Sequence, residues 1–179
     1  PITLSVLPEQ LLQDAGARVL FTDAAAADTV HDAGLGTVAR VALDGGAVGR
    51  PLADWLAAPG TAPELVAVEP GWAFNIIYSS GTTGTPKGIV QSHAMRWAQV
   101  RRAEAGGYGP GNVTLIATPL YSNTTLVVVV PTLARGGCLV LMPKFDCAQY
   151  LALAVQHRAT HTMLVPVQYQ RLMHWPDFD

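Results

Sequence analysis

The sequence contains few charged residues, two cysteines and no long uninterrupted hydrophobic run. Only 13% of its 179 residues are charged, whereas 50% are hydrophobic, and the net charge is −2. A nucleic-acid-binding protein normally has a clustered basic surface, so this charge balance argues against that class. The apolar run from Leu126 to Val130 stops at Pro131, and no run approaches the roughly 20 residues that a membrane-spanning helix needs. The sequence therefore predicts no membrane span.

The low charge content leaves two interpretations for a chain of this size. Either the chain is a buried α/β core, or it is part of a larger body that covers some of its surface. Cys138 and Cys147 are too few for a disulfide framework and lack the spacing of a metal site, so we expect reduced thiols in the cytoplasm. No signal peptide is visible and the first residue is Pro1 rather than Met, which leads us to expect a processed or excerpted chain.

Short apolar segments with strand character alternate with segments of helix-forming residues. The predicted strands span 18–22, 38–43, 72–78, 113–117, 139–142 and 161–165. The predicted helices span 24–33, 52–57, 93–105 and 147–157. Asp23, Ser92 and Asp146 are expected to cap three of these helices at their first residues. This alternation predicts an α/β fold, a layered sheet flanked by helices.

The segment 126–134 is ambiguous between a helix and a strand. Its four consecutive valines favour a strand, whereas its length and the Gly136-Gly137 pair after it favour a helix that stops there. We favour a buried helix with Pro131 near a bend. Thr124 and Thr125 are expected to cap this helix.

A stretch rich in glycine and hydroxyl residues lies between two apolar segments, 73–78 and 88–90. Its residues are Ser79, Ser80, Gly81, Thr82, Thr83, Gly84, Thr85, Pro86 and Lys87. Glycine lets the backbone approach a ligand closely, hydroxyls and backbone amides donate hydrogen bonds, and Lys87 adds a positive charge. Together these groups predict a loop that binds the oxygens of a polyphosphate.

Two other interpretations of this loop fit less well. A flexible linker would not be flanked by two apolar segments. A Walker A loop needs a second glycine where Pro86 stands, and a serine or threonine where Gly88 stands. The sequence therefore predicts a phosphate-binding loop of a different kind.

The residues from Tyr78 to His93 resemble the signature of the adenylate-forming superfamily, which includes acyl- and aryl-CoA ligases, adenylation domains of nonribosomal peptide synthetases, and luciferases. The resemblance implies a two-step ligase, in which ATP activates a carboxylic acid as an acyl-adenylate and a thiol then captures the acyl group. It assigns residues 79–87 to the ATP phosphates, with Lys87 as the catalytic residue that stabilises the leaving pyrophosphate. Mg²⁺ is expected to accompany ATP, and the motif assigns no residue to it.

The segment from Ala117 to Asn123 resembles the next motif of the superfamily, which lies beside the acyl pocket. The resemblance implies that Tyr121 and Ser122 belong to the substrate pocket, although Tyr121 would equally suit core packing. Many acyl-CoA ligases of this type carry histidine where this chain has Ser122. A hydroxyl is smaller and cannot carry a positive charge, so we expect a different orientation of the substrate carboxylate.

The resemblance covers essentially the whole chain, so residues 1–179 are expected to be a partial N-terminal AMP-binding domain. The later motifs that bind adenine and ribose, and the C-terminal lysine of the superfamily, do not occur in it. We therefore expect that the remainder of the protein is missing and that these residues alone do not complete the reaction.

The favoured function is an acyl-CoA ligase acting on a small carboxylic acid and CoA. The valine run from Val127 to Val130 suits a hydrophobic acid and hence fatty acid metabolism, although it would equally fill an ordinary core. Two alternatives stay open. One is an adenylation domain of the peptide-synthetase type, which would need a downstream carrier domain. The other is a non-catalytic nucleotide-binding module.

Overall fold

The computed structural model describes residues 8–26, 35–79 and 86–176. Its helices are α1 (Pro8–Asp14), α2 (Leu52–Trp55), α3 (His93–Ala103), α4 (Asn123–Ala134), α5 (Cys147–Gln156) and α6 (Pro166–Met173). Its strands are β1 (Val19–Thr22), β2 (Ala39–Ala42), β3 (Arg50–Pro51), β4 (Ala73–Ser79), β5 (Lys87–Ser92), β6 (Val113–Ile116), β7 (Cys138–Leu141) and β8 (His161–Met163). The predicted α/β alternation is confirmed.

The chain divides into two compact units, of which the first comprises Pro1–Ala67 and Tyr78–Ile89. Its sheet has the strand order β1-β2-β3, with both strand pairs parallel. After β1, the Asp23 carboxylate accepts a hydrogen bond from the Ala26 amide at 2.9 Å, which confirms the predicted cap. Residues 24–26 are helical, and the rest of the predicted helix, 27–33, lies outside the described residues.

The second unit comprises Val68–Ile77 and Val90–Asp179. Its three-stranded sheet has the order β7-β6-β8, so β6 is the central strand. Both neighbours run parallel to β6, with Val113 opposite Cys138 and Thr114 opposite His161. Parallel neighbours need long crossovers, and α4 and α5 provide them between β6 and β7 and between β7 and β8.

Both faces of β6 are covered. Successive side chains of a strand point to opposite faces, and Leu115 and Ile116 accordingly join two different apolar clusters, with 0% and 2% of their surface exposed. Leu115 packs with residues of α5 and α6, including Tyr150 and Leu172. Ile116 packs with Val128 and other residues of α4. This burial explains why the sequence around β6 is so apolar.

The ambiguous segment is a helix, as we favoured, and the helix begins earlier than predicted, at Asn123. Pro131 lies inside it, and the Thr132 hydroxyl donates a 2.7 Å hydrogen bond to the Val128 carbonyl one turn earlier. Gly136 adopts a φ of 77°, a left-handed conformation that glycine reaches without steric cost and that ends the helix.

Several predicted boundaries were wrong. Helix α3 ends at Ala103 rather than at residue 105, because a 3-10 turn, Glu104–Gly106, follows it. Helix α2 ends at Trp55, two residues before the predicted end at residue 57. Strand β8 ends at Met163, two residues earlier than predicted, and Val165 keeps an extended backbone before Pro166, the first residue of α6. The sequence did not indicate α1 or β3, which are short and lack a clear hydrophobic period.

Candidate functional site

The predicted phosphate loop joins two strands that pair in one sheet. Ser79 is the last residue of β4 and Lys87 is the first residue of β5, and β4 and β5 form a two-stranded sheet. Both side chains are exposed, and Pro86 is half-buried just before β5. The remaining loop predictions lie outside the described residues: Ser80, Gly81, Thr82, Thr83, Gly84 and Thr85. The structure therefore describes the two ends of the loop, and its phosphate-binding role stays a prediction.

The start of α3 follows directly after β5. The Ser92 hydroxyl accepts a hydrogen bond from the Met95 amide at 3.3 Å, which confirms the predicted cap. The two preceding amides donate to backbone carbonyls, His93 to Trp72 at 3.0 Å and Ala94 to Pro70 at 2.9 Å. Because these amides already have acceptors, the beginning of α3 does not offer the free N–H groups of an anion site.

The acyl-pocket motif turns from β6 into α4. Ser122 is the N-cap residue of α4 but makes no side-chain capping bond, and its carbonyl accepts from the Thr125 and Leu126 amides at 3.1 Å. Tyr121 is 69% exposed, which argues against the core-packing interpretation. The predicted caps at Thr124 and Thr125 were wrong, because both lie inside α4, and the buried Thr125 hydroxyl donates instead to the Pro119 carbonyl at 2.7 Å.

An open cavity of about 740 Å³ lies where β6 and β7 end. Its walls come from residues that follow the two strands, namely Thr118, Pro119, Leu120, Tyr121, Met142, Pro143, Lys144 and Phe145. Ligands of open α/β sheets characteristically bind at the carboxyl ends of the strands. Of the two predicted pocket residues, Tyr121 lines this cavity and Ser122 does not.

Gln168 is a site residue that sequence reasoning missed. It is 8% exposed and lines the same cavity. Its Nε2 donates to the Ala117 carbonyl at 2.9 Å, while its Oε1 accepts from the Val165 amide at 3.0 Å. These two bonds fix the beginning of α6 against the end of β6. Partners 51 positions apart in the chain leave no local pattern in the sequence.

The described residues contain neither a cluster of metal ligands, nor a disulfide, nor a membrane-spanning helix. There, no group of three or more His, Cys, Asp or Glu residues is arranged to hold a metal ion. Both cysteines are free thiols, Cys138 exposed and Cys147 buried, as the sequence predicted. No helix of the described residues is long and apolar enough to cross a membrane.

Comparison with known proteins tests the predicted family. The model of a family described as "AMP-binding enzyme" matches residues 9–179. The chain belongs to the AMP-binding enzyme family. Its structure resembles that of the amide bond synthetase McbA from Marinactinospora thermotolerans with a TM-score of 0.80 and 25% identity, covering 95% of this chain and 34% of that one. The resemblance to the adenylate-forming superfamily is thereby confirmed.

Two relatives show how much of an AMP-binding enzyme this chain contains. It is 30% identical to a feruloyl-CoA synthase of an Amycolatopsis species, over 94% of this chain and 33% of that protein. It is 35% identical to the phosphinothricin tripeptide synthetase PhsB of Streptomyces viridochromogenes, over 73% of this chain and 10% of that protein. The chain thus spans a third or less of the length of these curated relatives.

Proposed function

We propose that this AMP-binding chain is part of a ligase that activates a carboxylic acid with ATP and transfers the acyl group to the thiol of CoA. The observation that carries the proposal is the loop 79–87, which has the residues of the superfamily's phosphate-binding signature and joins the paired strands β4 and β5. Membership of the family over residues 9–179 supports it.

The first step would occur at the phosphates of ATP. A carboxylate oxygen of the acid attacks the α-phosphorus, and the bond from that phosphorus to the oxygen bridging to the β-phosphate breaks. Pyrophosphate leaves with increased negative charge, which Lys87 and the hydroxyls of Thr82, Thr83 and Thr85 would stabilise. Mg²⁺ would arrive bound to ATP, and we assign no residue of this chain to it.

The second step forms the thioester. The sulfur of CoA, after losing its proton, attacks the acyl carbon of the adenylate, and AMP leaves. We propose that the acid occupies the cavity beside Tyr121. The side chains of Leu120, Met142 and Phe145 in its wall favour an apolar acid, aliphatic or aromatic. Ser122 does not line this cavity, so we propose no direct contact between its hydroxyl and the acid.

We further propose that residues 1–179 are a partial N-terminal domain and are inactive alone. The chain corresponds to 33% of the length of the feruloyl-CoA synthase and 34% of McbA, which supports this. Free thiols on Cys138 and Cys147 are compatible with the cytoplasmic location that we propose.

The direct test is acid-dependent exchange of labelled pyrophosphate into ATP by the full-length protein. A panel should include a medium-chain fatty acid, a hydroxycinnamic acid and several amino acids. Exchange with an apolar acid, followed by thioester formation with CoA, is the expected result. The absence of exchange with every acid, in a protein that binds ATP, would favour the non-catalytic nucleotide-binding module.

A peptide-synthetase adenylation domain is the second candidate. The observation in its favour is the 35% identity to PhsB. The two candidates differ in the acid and in the thiol, since a peptide synthetase activates an amino acid and loads it onto a carrier domain. Exchange with an amino acid, and no thioester with free CoA, would decide for this alternative.

A further inference from the structure

A buried arginine joins the strands that flank the loop to the helix that follows the acyl motif. Arg96, on α3, is 2% exposed. Its Nε and Nη2 donate to the Asn75 Oδ1 at 3.0 and 2.9 Å, and its Nη1 donates to the Gln99 Oε1 at 3.0 Å. Nη2 also donates to the Asn123 Oδ1 at 3.1 Å and to the Gln91 Oε1. The guanidinium therefore contacts four amide side chains.

Three of these acceptors lie at informative places in the chain. Asn75 is on β4, four positions before Ser79, and Gln91 is on β5, four positions after Lys87. Asn123 is the first residue of α4 and directly follows Ser122. Gln91 and Asn123 also bond to each other, with 2.9 Å between Nε2 and Oδ1. All of these contacts lie within the second unit.

Arg96 and its four amide partners form a buried polar cluster, and burying a charged guanidinium costs desolvation free energy. This cost argues against a role in packing alone. Within the described residues, no carboxylate forms an ion pair with Arg96, and burial lowers the pKa of its guanidinium. Because Asn75 presents its oxygen to the guanidinium, its buried Nδ2 finds no hydrogen-bond acceptor among the residues that the structure describes. Replacing buried charge by apolar side chains of similar volume is often neutral or stabilising. A charged cluster is therefore better explained by the geometry that it imposes.

Arg135 provides a contrast, because it also links α3 and α4. It lies just after α4, and its guanidinium donates to the carbonyls of Val100 and Arg101 and to the Glu104 carboxylate. None of these partners belongs to β4, β5 or the acyl motif. Arg135 therefore joins the other ends of the same two helices through hydrogen bonds that do not involve β4 or β5.

We propose that Arg96 is a positioning residue for adenylation, which holds β4 and β5, the strands that enter and leave the phosphate loop, in register with the start of α4. This inference rests on the proposed function. Attack on the α-phosphorus needs the acid and the phosphates in alignment, and a displacement of about 1 Å is worth on the order of 100-fold in rate. Of the loop residues that the structure describes, Ser79, Pro86 and Lys87, none hydrogen-bonds to Arg96, so its loss is expected to lower kcat more than it raises the KM for ATP.

The test compares Arg96→Met with Arg135→Met in the full-length protein. The readout is acid-dependent ATP–pyrophosphate exchange per nucleotide-binding site, so that unfolded molecules do not count. We expect Arg96→Met to lower kcat about 10- to 100-fold. The KM for ATP should stay within about threefold of the parent value, since the substitution changes none of the loop residues 79–87. Arg135→Met is expected to keep kcat within about twofold, because Arg135 is half-buried with an exposed ion-pair partner, Glu104, and none of its hydrogen bonds involves the strands beside the loop.

Two further variants keep the proposal testable if Arg96→Met fails to fold. Arg96→Lys retains the charge but cannot reach acceptors spread around a planar guanidinium, so kcat should fall there as well. Asn123→Ala removes a single acceptor and should lower kcat about three- to tenfold, with little further effect in the Arg96→Lys background. An unchanged kcat in folded Arg96→Lys and Asn123→Ala would overturn the positioning role. Parent protein without exchange would instead refute the proposed function.

Discussion

The sheet β7-β6-β8 and the strand pair β4-β5 are stabilised in different ways. In β6, Leu115 and Ile116 are 0% and 2% exposed and pack into apolar clusters on opposite faces. In β5, Ile89 and Val90 are 49% and 58% exposed, and the buried residue is the polar Gln91. An apolar strand sequence thus does not by itself imply burial. The strands beside the loop depend on polar contacts at one end, whereas the central sheet depends on its core.

The largest difference between the two regions should appear when side chains are shortened. Leu115→Ala is expected to cost about 3 kcal/mol, because it removes transfer free energy and leaves a cavity between two layers. Val90→Ala, in the exposed strand, should change stability by less than about 0.5 kcal/mol. Urea unfolding of the full-length protein measures both. Equal losses at the two positions would show that β5 is buried as deeply as β6.

Removing a helix cap should change the free energy of unfolding by less than removing a core side chain. The Asp146 carboxylate accepts from the Gln149 amide at 2.9 Å, and the Ser92 hydroxyl accepts from Met95 at 3.3 Å. Asp146→Ala should cost about 1 kcal/mol. Ser92→Ala should cost less than this, since its bond is longer and neutral. Thermal unfolding of the two variants measures the difference, and a larger loss for Ser92→Ala would contradict this ranking.

The smallest effect is expected at high pH, at the loop end of β4. The Tyr78 hydroxyl donates to the Asp14 carboxylate, which raises the pKa of Tyr78 from 10.0 to about 12. The unfolded state then loses this proton first, so the stability from the bond is complete below pH 10 and is lost as pH rises towards 12. Tyr78→Phe should remove this part of the pH dependence. Identical slopes of stability against pH in both proteins would refute the contact.

Local chemistry predicted much of the fold from the sequence. The alternation of apolar and helix-forming segments gave the α/β class, and the side chains of Asp23, Ser92 and Asp146 correctly marked three helix starts. The valine-rich α4 was resolved by the glycines after it rather than by its own residues. Its start was missed because Thr125 bonds to Pro119 instead of capping the helix.

Long-range polar contacts could not be predicted in the same way. Arg96 meets Asn75 and Asn123 across 21 and 27 positions, and Gln168 meets Ala117 across 51. In the sequence, nothing distinguishes these residues from other polar residues on the surface of a helix or strand. Local periodicity says which face is apolar, but it does not say which polar groups share a buried space. The loop motif could be recognised because its residues are contiguous.

Residues 79–87 are proposed to bind the phosphates of ATP during adenylation, and a substitution of Lys87 is the sharpest test of this role. Lys87 is exposed at the start of β5, so Lys87→Ala should leave stability unchanged within about 0.5 kcal/mol. In the full-length protein, the same substitution should slow acid-dependent ATP–pyrophosphate exchange about 100- to 1,000-fold, as the loss of one charge-stabilising donor does elsewhere. An exchange rate equal to that of the parent protein would show that Lys87 does not stabilise the leaving pyrophosphate.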